Sequence, residues 1–433
     1  MNSKVSVKDH PLRYSLANEI HARPSPSLKS PCQAAYLVFK REHNAASRDR
    51  RVDLEQLNAL LDHYAAPHPE TGATHYFGPI GNYELKWESH TEFVSYTIFD
   101  QDDETRPFDV KTFELFPLDW LSSSPYVRVT SALISVERLI EDEIVAKKID
   151  ESFVRSSVAV SRVLNNEAVI AADFRIDPTG HMRFAIFTSS NIGKGRTGRI
   201  VQRLCEIETY KALSMLGFAR CRKLNEALAT IDGRLSKLST ALSGDTDDTV
   251  SSLNSLLRIS GELEALTAEA SFRFGATAAY EKIVHQRIKV LREGRFAGRQ
   301  VFAEFMMRRF NPAMNTVSST QDRLGAMTGR AIRASNLLQT RVDVERSAEN
   351  RALLESMNRR AALQLRLQKT VEGLSVVAIS YYAVNLAANV TLPFAKHYNV
   401  TDYLLKAMLT PFVIFAVWLM LRNVHKSLKS LRF

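Results

Sequence analysis

The chain has 433 residues, of which 45% are hydrophobic and 24% charged, a globular balance with length for two or three domains. Its net charge of +10 suits a nucleic-acid partner or an anionic membrane surface. The three cysteines, Cys32, Cys205 and Cys221, have neither paired nor metal-ligand spacing, which argues against a disulfide framework and fits a reducing compartment.

Residues 1–13 contain Asp9 and Pro11 and no apolar stretch, so they do not form a secretory signal, and the soluble body is expected in the cytoplasm. The following segment concentrates hydrogen-bonding and titratable groups: His10 and Arg13, then Asn18, Glu19, His21 and Arg23 before Pro24. A surface strand-and-turn lid is one reading; an acid/base or ligand site is the other, since His and Glu together can move protons near neutral pH.

Val52 to Tyr64 has a helical pattern. His63, His68, His75 and His90 surround a Pro/Gly-rich loop at spacings that match no zinc signature, so solvated or hydrogen-bonded histidines are expected and no metal site is assigned. Glu84 to Glu88 and Thr91 to Phe99 alternate as strands, with Val94, Tyr96 and Ile98 on one face. Asp100, Asp102, Asp103 and Glu104 form an acidic run, read as a solvated loop with a cation site as the alternative. Tyr126 to Val136 is a strand and Glu137 to Ile149 a helix. Val169 to Ile176 and Met182 to Thr188 flank Asp177-Pro178-Thr179-Gly180, whose Pro and Gly positions fit a type I turn in a hairpin.

Gly193-Lys194-Gly195-Arg196-Thr197-Gly198 matches the G-x-G-x-x-G spacing of phosphate-binding loops. A dinucleotide fold would need a second parallel strand soon after, whereas the helical pattern here continues, so a flexible basic connector is the preferred reading. No nucleophile or metalloprotease motif occurs, no cofactor is implied, and the chain reads as a non-enzyme.

Beyond about residue 198 apolar residues recur at helical spacing, with a loop between two long helices around Leu238 to Val250. Arg330 to Glu372 lacks Gly and Pro and would make a stalk helix roughly 65 Å long. Leu338, Val342, Leu353, Met357, Ala361 and Leu365 mark an interrupted apolar stripe on it; the polar stretch Asp343 to Arg351 leaves any coiled coil irregular. Leu374 to Ala395 and Tyr403 to Leu421 are long and apolar enough to cross a bilayer. Arg359, Arg360, Arg366 and Lys369 precede the first, and Arg422, Lys426, Lys429 and Arg432 follow the second; the short loop between them, Lys396 to Asp402, holds Lys396 alone. The positive-inside rule then places both termini in the cytoplasm. Within the first span, Tyr382, Asn385 and Asn389 are candidates for helix contact or pore lining.

The expected class is α+β: a strand-rich α/β domain over 1–192, long helices and a stalk over 193–372, and a transmembrane hairpin with a basic tail over 373–433. The stretches HPLRYSLANEIHARP, LKWESHTEF, VQRLCEIETYKAL and LLESMNRRAALQLRLQKTVEGLSVVAISYY resemble a bacterial group of membrane-anchored proteins, domain-of-unknown-function family 3422, and span nearly the whole chain. That resemblance implies membrane attachment and no particular activity. The architecture is similar also to CorA-type magnesium transporters, although only Tyr382 and Asn385 map onto that family's signature, where Ala383 and Val384 replace its Gly-Met. The expected function is a non-enzymatic, homo-oligomeric scaffold or regulatory protein of the inner membrane, with the lipid bilayer as partner and no nucleic acid. A CorA-like divalent cation channel or transporter is the alternative.

Overall fold

The structure, a computed structural model, describes residues 8–14, 16–17, 24–101, 106–242, 249–397 and 401–430. Among these, nine strands form one mixed sheet: β1 (Cys32–Lys40), β2 (His75–Ile80), β3 (Tyr83–Ser89), β4 (Phe93–Asp100), β5 (Val127–Arg138), β6 (Ala159–Val163), β7 (Ala168–Ala172), β8 (Met182–Thr188) and β9 (Gly294–Arg295). The helices are α1 (Arg50–His63), α2 (Leu118–Ser122), α3 (Asp142–Ser152), α4 (Lys194–Leu242), α5 (Thr249–Leu291), α6 (Phe302–His397) and α7 (Asp402–Ser430). The class is α+β. Two compact units result, residues 1–247 with 254–335, and 248–253 with 336–433.

The sheet order is β2–β3–β4–β1–β5–β8–β7–β6–β9. It repeats a plan: β1-α1-β2-β3-β4 and β5-α3-β6-β7-β8 each lay their last three strands as a meander beside the first. The halves differ in closure, because β4 meets β1 antiparallel while β8 meets β5 parallel. The expected hairpin is present: β7 pairs antiparallel with β8, and the Gly180 N–H donates to the Asp177 carbonyl at 2.9 Å.

Strand β4 carries Val94, Tyr96 and Ile98 on one face, as its alternation predicts, and all three are buried in the core with Leu85, Trp87, Leu57, Leu60 and Trp120. Its other face is covered too, since Phe93 and Phe99 are also buried. β1, CQAAYLVFK, is likewise buried on both faces, and it shows no alternation because both faces are largely apolar, whereas Ser95 and Thr97 alternate along β4. The helix expected from Glu137 begins only at Asp142; Glu137 and Arg138 instead extend β5, held by pairing with Phe187 and Thr188. The core of the second half packs α3, through Val145 and Ile149, on Val160, Val169 and Phe187.

One buried ionic knot braces the first half. Arg48 and Asp53 pair at 2.8 Å with side chains 1% and 0% exposed. Asp53 also accepts from Ser89 Oγ (2.7 Å) and Tyr126 Oη (2.6 Å). Arg48 donates to the carbonyls of Thr91 (2.6 Å) and His90 (2.8 Å). Desolvation makes a lone buried ion costly, so these partners are what permits the pair.

In the first unit the long helices bury residues at intervals of seven: Ile200, Ile207, Ser214, Cys221, Leu228 and Leu235 on α4; Leu256, Leu263, Ala270, Thr277, Val284 and Leu291 on α5; Phe310, Val317, Leu324 and Ala331 on α6. A seven-residue period keeps one seam of a slightly underwound helix facing its neighbours. At Gly217 on α4, a Cβ would lie 2.2 Å from Thr277 Oγ1 on α5, so glycine permits that close approach. Because α4 starts at Lys194, Gly195 to Gly198 are helical rather than a flexible connector. The acidic residues Asp102, Asp103 and Glu104, and residues 243–248, lie outside the described residues; of the loop expected around Leu238 to Val250, residues 238–242 belong to α4 and 249–250 to α5.

In the second unit, α6 continues through the segment expected as a stalk and on into the first apolar span. The C-terminal part of α6 and Asp402–Met420 of α7 are long and apolar enough to cross a membrane. Only 11% and 6% of their apolar windows are buried, unlike the core helices of a soluble protein.

Candidate functional site

The sheet face opposite the Trp87 core meets α4, and a cavity of about 230 Å³ lies between them. Its floor follows from the two-residue period of β3. Leu85 and Trp87 enter the core, so Lys86 and Glu88 project to the other side. Cross-strand register sets Lys86 opposite Thr97, and Thr97 opposite Tyr36, while Glu88 faces Ser95. Helix α4 supplies the roof with Gln202, Cys205, Glu206 and Thr209, positions on one face by helical spacing, and Arg287 of α5 completes it.

The charges in this cavity balance. Lys86 Nζ lies 3.3 Å from Glu88, and Arg287 pairs with Glu206. Gln202 Nε2 donates to Glu206 at 3.0 Å. Lys86 is 6% exposed and its Nζ has no hydrogen-bond partner; Gln202 Oε1 also has none. Tyr36 Oη donates to Thr209 Oγ1 (2.5 Å), which donates to the Cys205 carbonyl (2.8 Å). Burial pushes the Cys205 thiol and the Tyr36 phenol well above their usual ranges. Both therefore stay protonated at neutral pH. The cavity is equipped to hold a polar molecule through Lys86, Gln202 and the two ion pairs, and its thiol is not activated as a nucleophile.

The residues singled out in the sequence are elsewhere. His10 and Arg13 are exposed; His10 Nδ1 accepts from the Leu12 N–H at 3.2 Å, and Arg13 pairs with Asp9. Asn18, Glu19, His21 and Arg23 lie outside the described residues. His68 bonds Asp62 at 2.7 Å, His63 meets the Tyr64 ring, and His90 stacks on Phe93 at 4.2 Å. Among the described residues no group of three or more His, Cys, Asp or Glu is gathered for a metal ion. Of the residues proposed for helix contact or pore lining, Tyr382 is exposed and touches Tyr381, Asn385 is half-buried, and Asn389 is exposed.

Gly198 has a role the phosphate-loop reading did not foresee. A Cβ there would lie 1.7 Å from the Pro26 carbonyl oxygen, so the glycine admits the segment before β1 against α4. The cavity residues Lys86, Glu88, Cys205 and Glu206 fall inside stretches that resemble the family, yet nothing in the sequence marked them as a site. The available signal was the order Leu-Lys-Trp-Glu at 85–88, which places two charges on one strand face.

No curated protein and no solved structure matches the chain, so neither lends support to a likeness to CorA-type transporters. One family model does match, over residues 8–428. The chain belongs to the family described as Protein of unknown function (DUF3422).

Proposed function

We propose that this chain is a non-enzymatic scaffold or regulatory protein of the inner membrane that assembles with copies of itself, both termini lying in the cytoplasm. The observation that carries the reading is Asn389. It is exposed on the apolar part of α6, beside Leu386 and Val390, which are 66% and 70% exposed. In hydrocarbon an amide gains no water, so it is stabilised by a partner helix carrying polar groups, and an identical helix supplies an identical amide.

Further support comes from the stretch before the span. Leu353, Leu354, Met357, Leu363, Leu365 and Leu367 are each at least 58% exposed, a broad apolar surface for a helix in water. Copies held in one bilayer present these surfaces side by side. The orientation rests on the basic residues flanking both spans. The non-enzymatic part rests on the cavity under α4, where burial keeps the thiol and phenol protonated and the charges are paired.

The test is the mass of the full-length protein in a mild detergent, by native mass spectrometry and by cross-linking in membranes. An assembly that Asn389→Leu weakens is the expected result; a strictly monomeric wild type overturns the reading. Mg²⁺ flux into proteoliposomes separates the transport alternative, with flux no greater than in protein-free vesicles expected here.

A further inference from the structure

We propose that four arginines around the β6–β7 turn form a binding site for a phosphate group. Arg196, Arg199 and Arg203 are spaced three and four residues apart on α4 and so share one face. Arg292, immediately after α5, closes the same cavity of about 250 Å³ from the other side. The turn residues Leu164 and Asn165 line the third wall.

The charge in this cavity is unbalanced. Its one carboxylate, Glu167, is engaged by Arg196 at 2.5 and 2.7 Å. Among the described residues no carboxylate pairs with Arg199, Arg203 or Arg292. Four guanidinium groups against one carboxylate leave an excess of three positive charges. Like charges three and four residues apart weaken a helix, so an arrangement that adds a fourth arginine from another element costs stability unless an anion occupies it. Arg203 registers that crowding: burial, and then the charges of Arg199 and Arg287, hold it below the usual arginine range, with Glu206 opposing.

The backbone around the cavity is specialised as well. Leu164, Asn165 and Asn166 all have positive φ (51°, 60° and 71°), as does Arg292 (51°). Left-handed geometry is unfavourable for leucine and arginine and persists only where the surroundings impose it. A hydrogen bond from the Leu164 N–H to the Leu291 carbonyl (3.2 Å) joins the turn to the end of α5, fixing Arg292 relative to the arginines of α4. Guanidinium forks match phosphate oxygens in pairs, whereas a single carboxylate would neutralise only one of three excess charges. A phosphate monoester or a pyrophosphate is therefore the fitting ligand class, carried either by a soluble molecule or by a lipid headgroup.

The experiment uses the full-length protein in phosphatidylcholine nanodiscs, titrated with pyrophosphate and followed by thermal unfolding and calorimetry. Wild type is expected to gain stability with rising pyrophosphate, and the gain to shrink with added salt. Arg199→Gln/Arg203→Gln should bind at least about tenfold more weakly or not at all, since the loss of even one charge-assisted pair is on that scale. Arg292→Gln, exposed and outside any helix, gives the same readout should the double variant fold poorly. Nanodiscs containing phosphatidic acid distinguish the source. Loss of the pyrophosphate effect there identifies a headgroup as occupant; an unchanged effect identifies a soluble phosphate. No stabilisation of wild type by millimolar pyrophosphate, or equal stabilisation of wild type and both variants, overturns the proposal.

Discussion

The carbonyl oxygen of Pro26 occupies the space that any side chain on Gly198 would require, 1.7 Å from the ideal Cβ position. Three residues earlier on α4, Gly195 meets only Arg199 Nη1 at 3.8 Å. Gly198→Ala should displace the 24–31 segment and destabilise the first unit by about 1–3 kcal/mol, as overpacking does. Gly195→Ala, by contrast, should be neutral or slightly stabilising. Melting temperatures of the two variants in the same detergent check this, and equal losses would refute it.

The Arg48–Asp53 pair makes an asymmetric prediction. Asp53→Asn strands a buried guanidinium and should cost about 3–5 kcal/mol. Replacing both partners by apolar residues should recover part of that loss, since no unpaired charge then remains. Thermal unfolding of the single and double variants reads the coupling.

His181 should set a pH dependence. It is buried against Phe113, with Nδ1 at 2.9 Å from Ser131 Oγ. Burial lowers its pKa below the ordinary value near 6.5, the Arg128 charge lowers it further, and Asp177 opposes. The folded state thus binds fewer protons than the unfolded one, so its stability contribution is present above about pH 6.5 and is lost as pH falls. Melting temperature should decline on acidification through that window, and His181→Gln should flatten the decline. An unchanged slope in the variant would remove His181 as the cause.

The three cysteines should be inert in the native protein. Burial pushes Cys32 up to about 12, with the Asp100 charge adding, and raises Cys205 and Cys221 as well. Thiolate is the reactive form, so maleimide labelling at neutral pH should be slow when folded and complete after denaturation. Rapid labelling of any one would show that its helix or strand opens locally.

Some elements were legible because one local rule governs them. Strand β4 alternates, β8 matches its expected span of Met182–Thr188, and the turn at Asp177–Gly180 carries its own Pro and Gly. The spans near the C-terminus are set by long stretches that are mostly apolar and nearly free of charge. Other elements were hidden. β1 and β6 lie mostly buried, and neither shows the regular polar–apolar alternation of a half-exposed strand. The onset of α3 at Asp142 was masked because Glu137 and Arg138 are as acceptable in a helix as at a strand end, and pairing with β8 decides for the strand.

The sites divide in the same way. Composition alone determined that this protein has two helices suited to a bilayer, a basic excess and no cysteine framework, because each is a sum over neighbouring residues. Only the tertiary structure decided that Lys86 is roofed by α4, that Gly198 makes room for Pro26, and that Arg196, Arg199 and Arg203 face Arg292 across one cavity. The reason is physical: burial, ion pairing and charge crowding are properties of distance in space, and residues 199 and 292 come together only when α5 returns along α4 to the edge of the sheet.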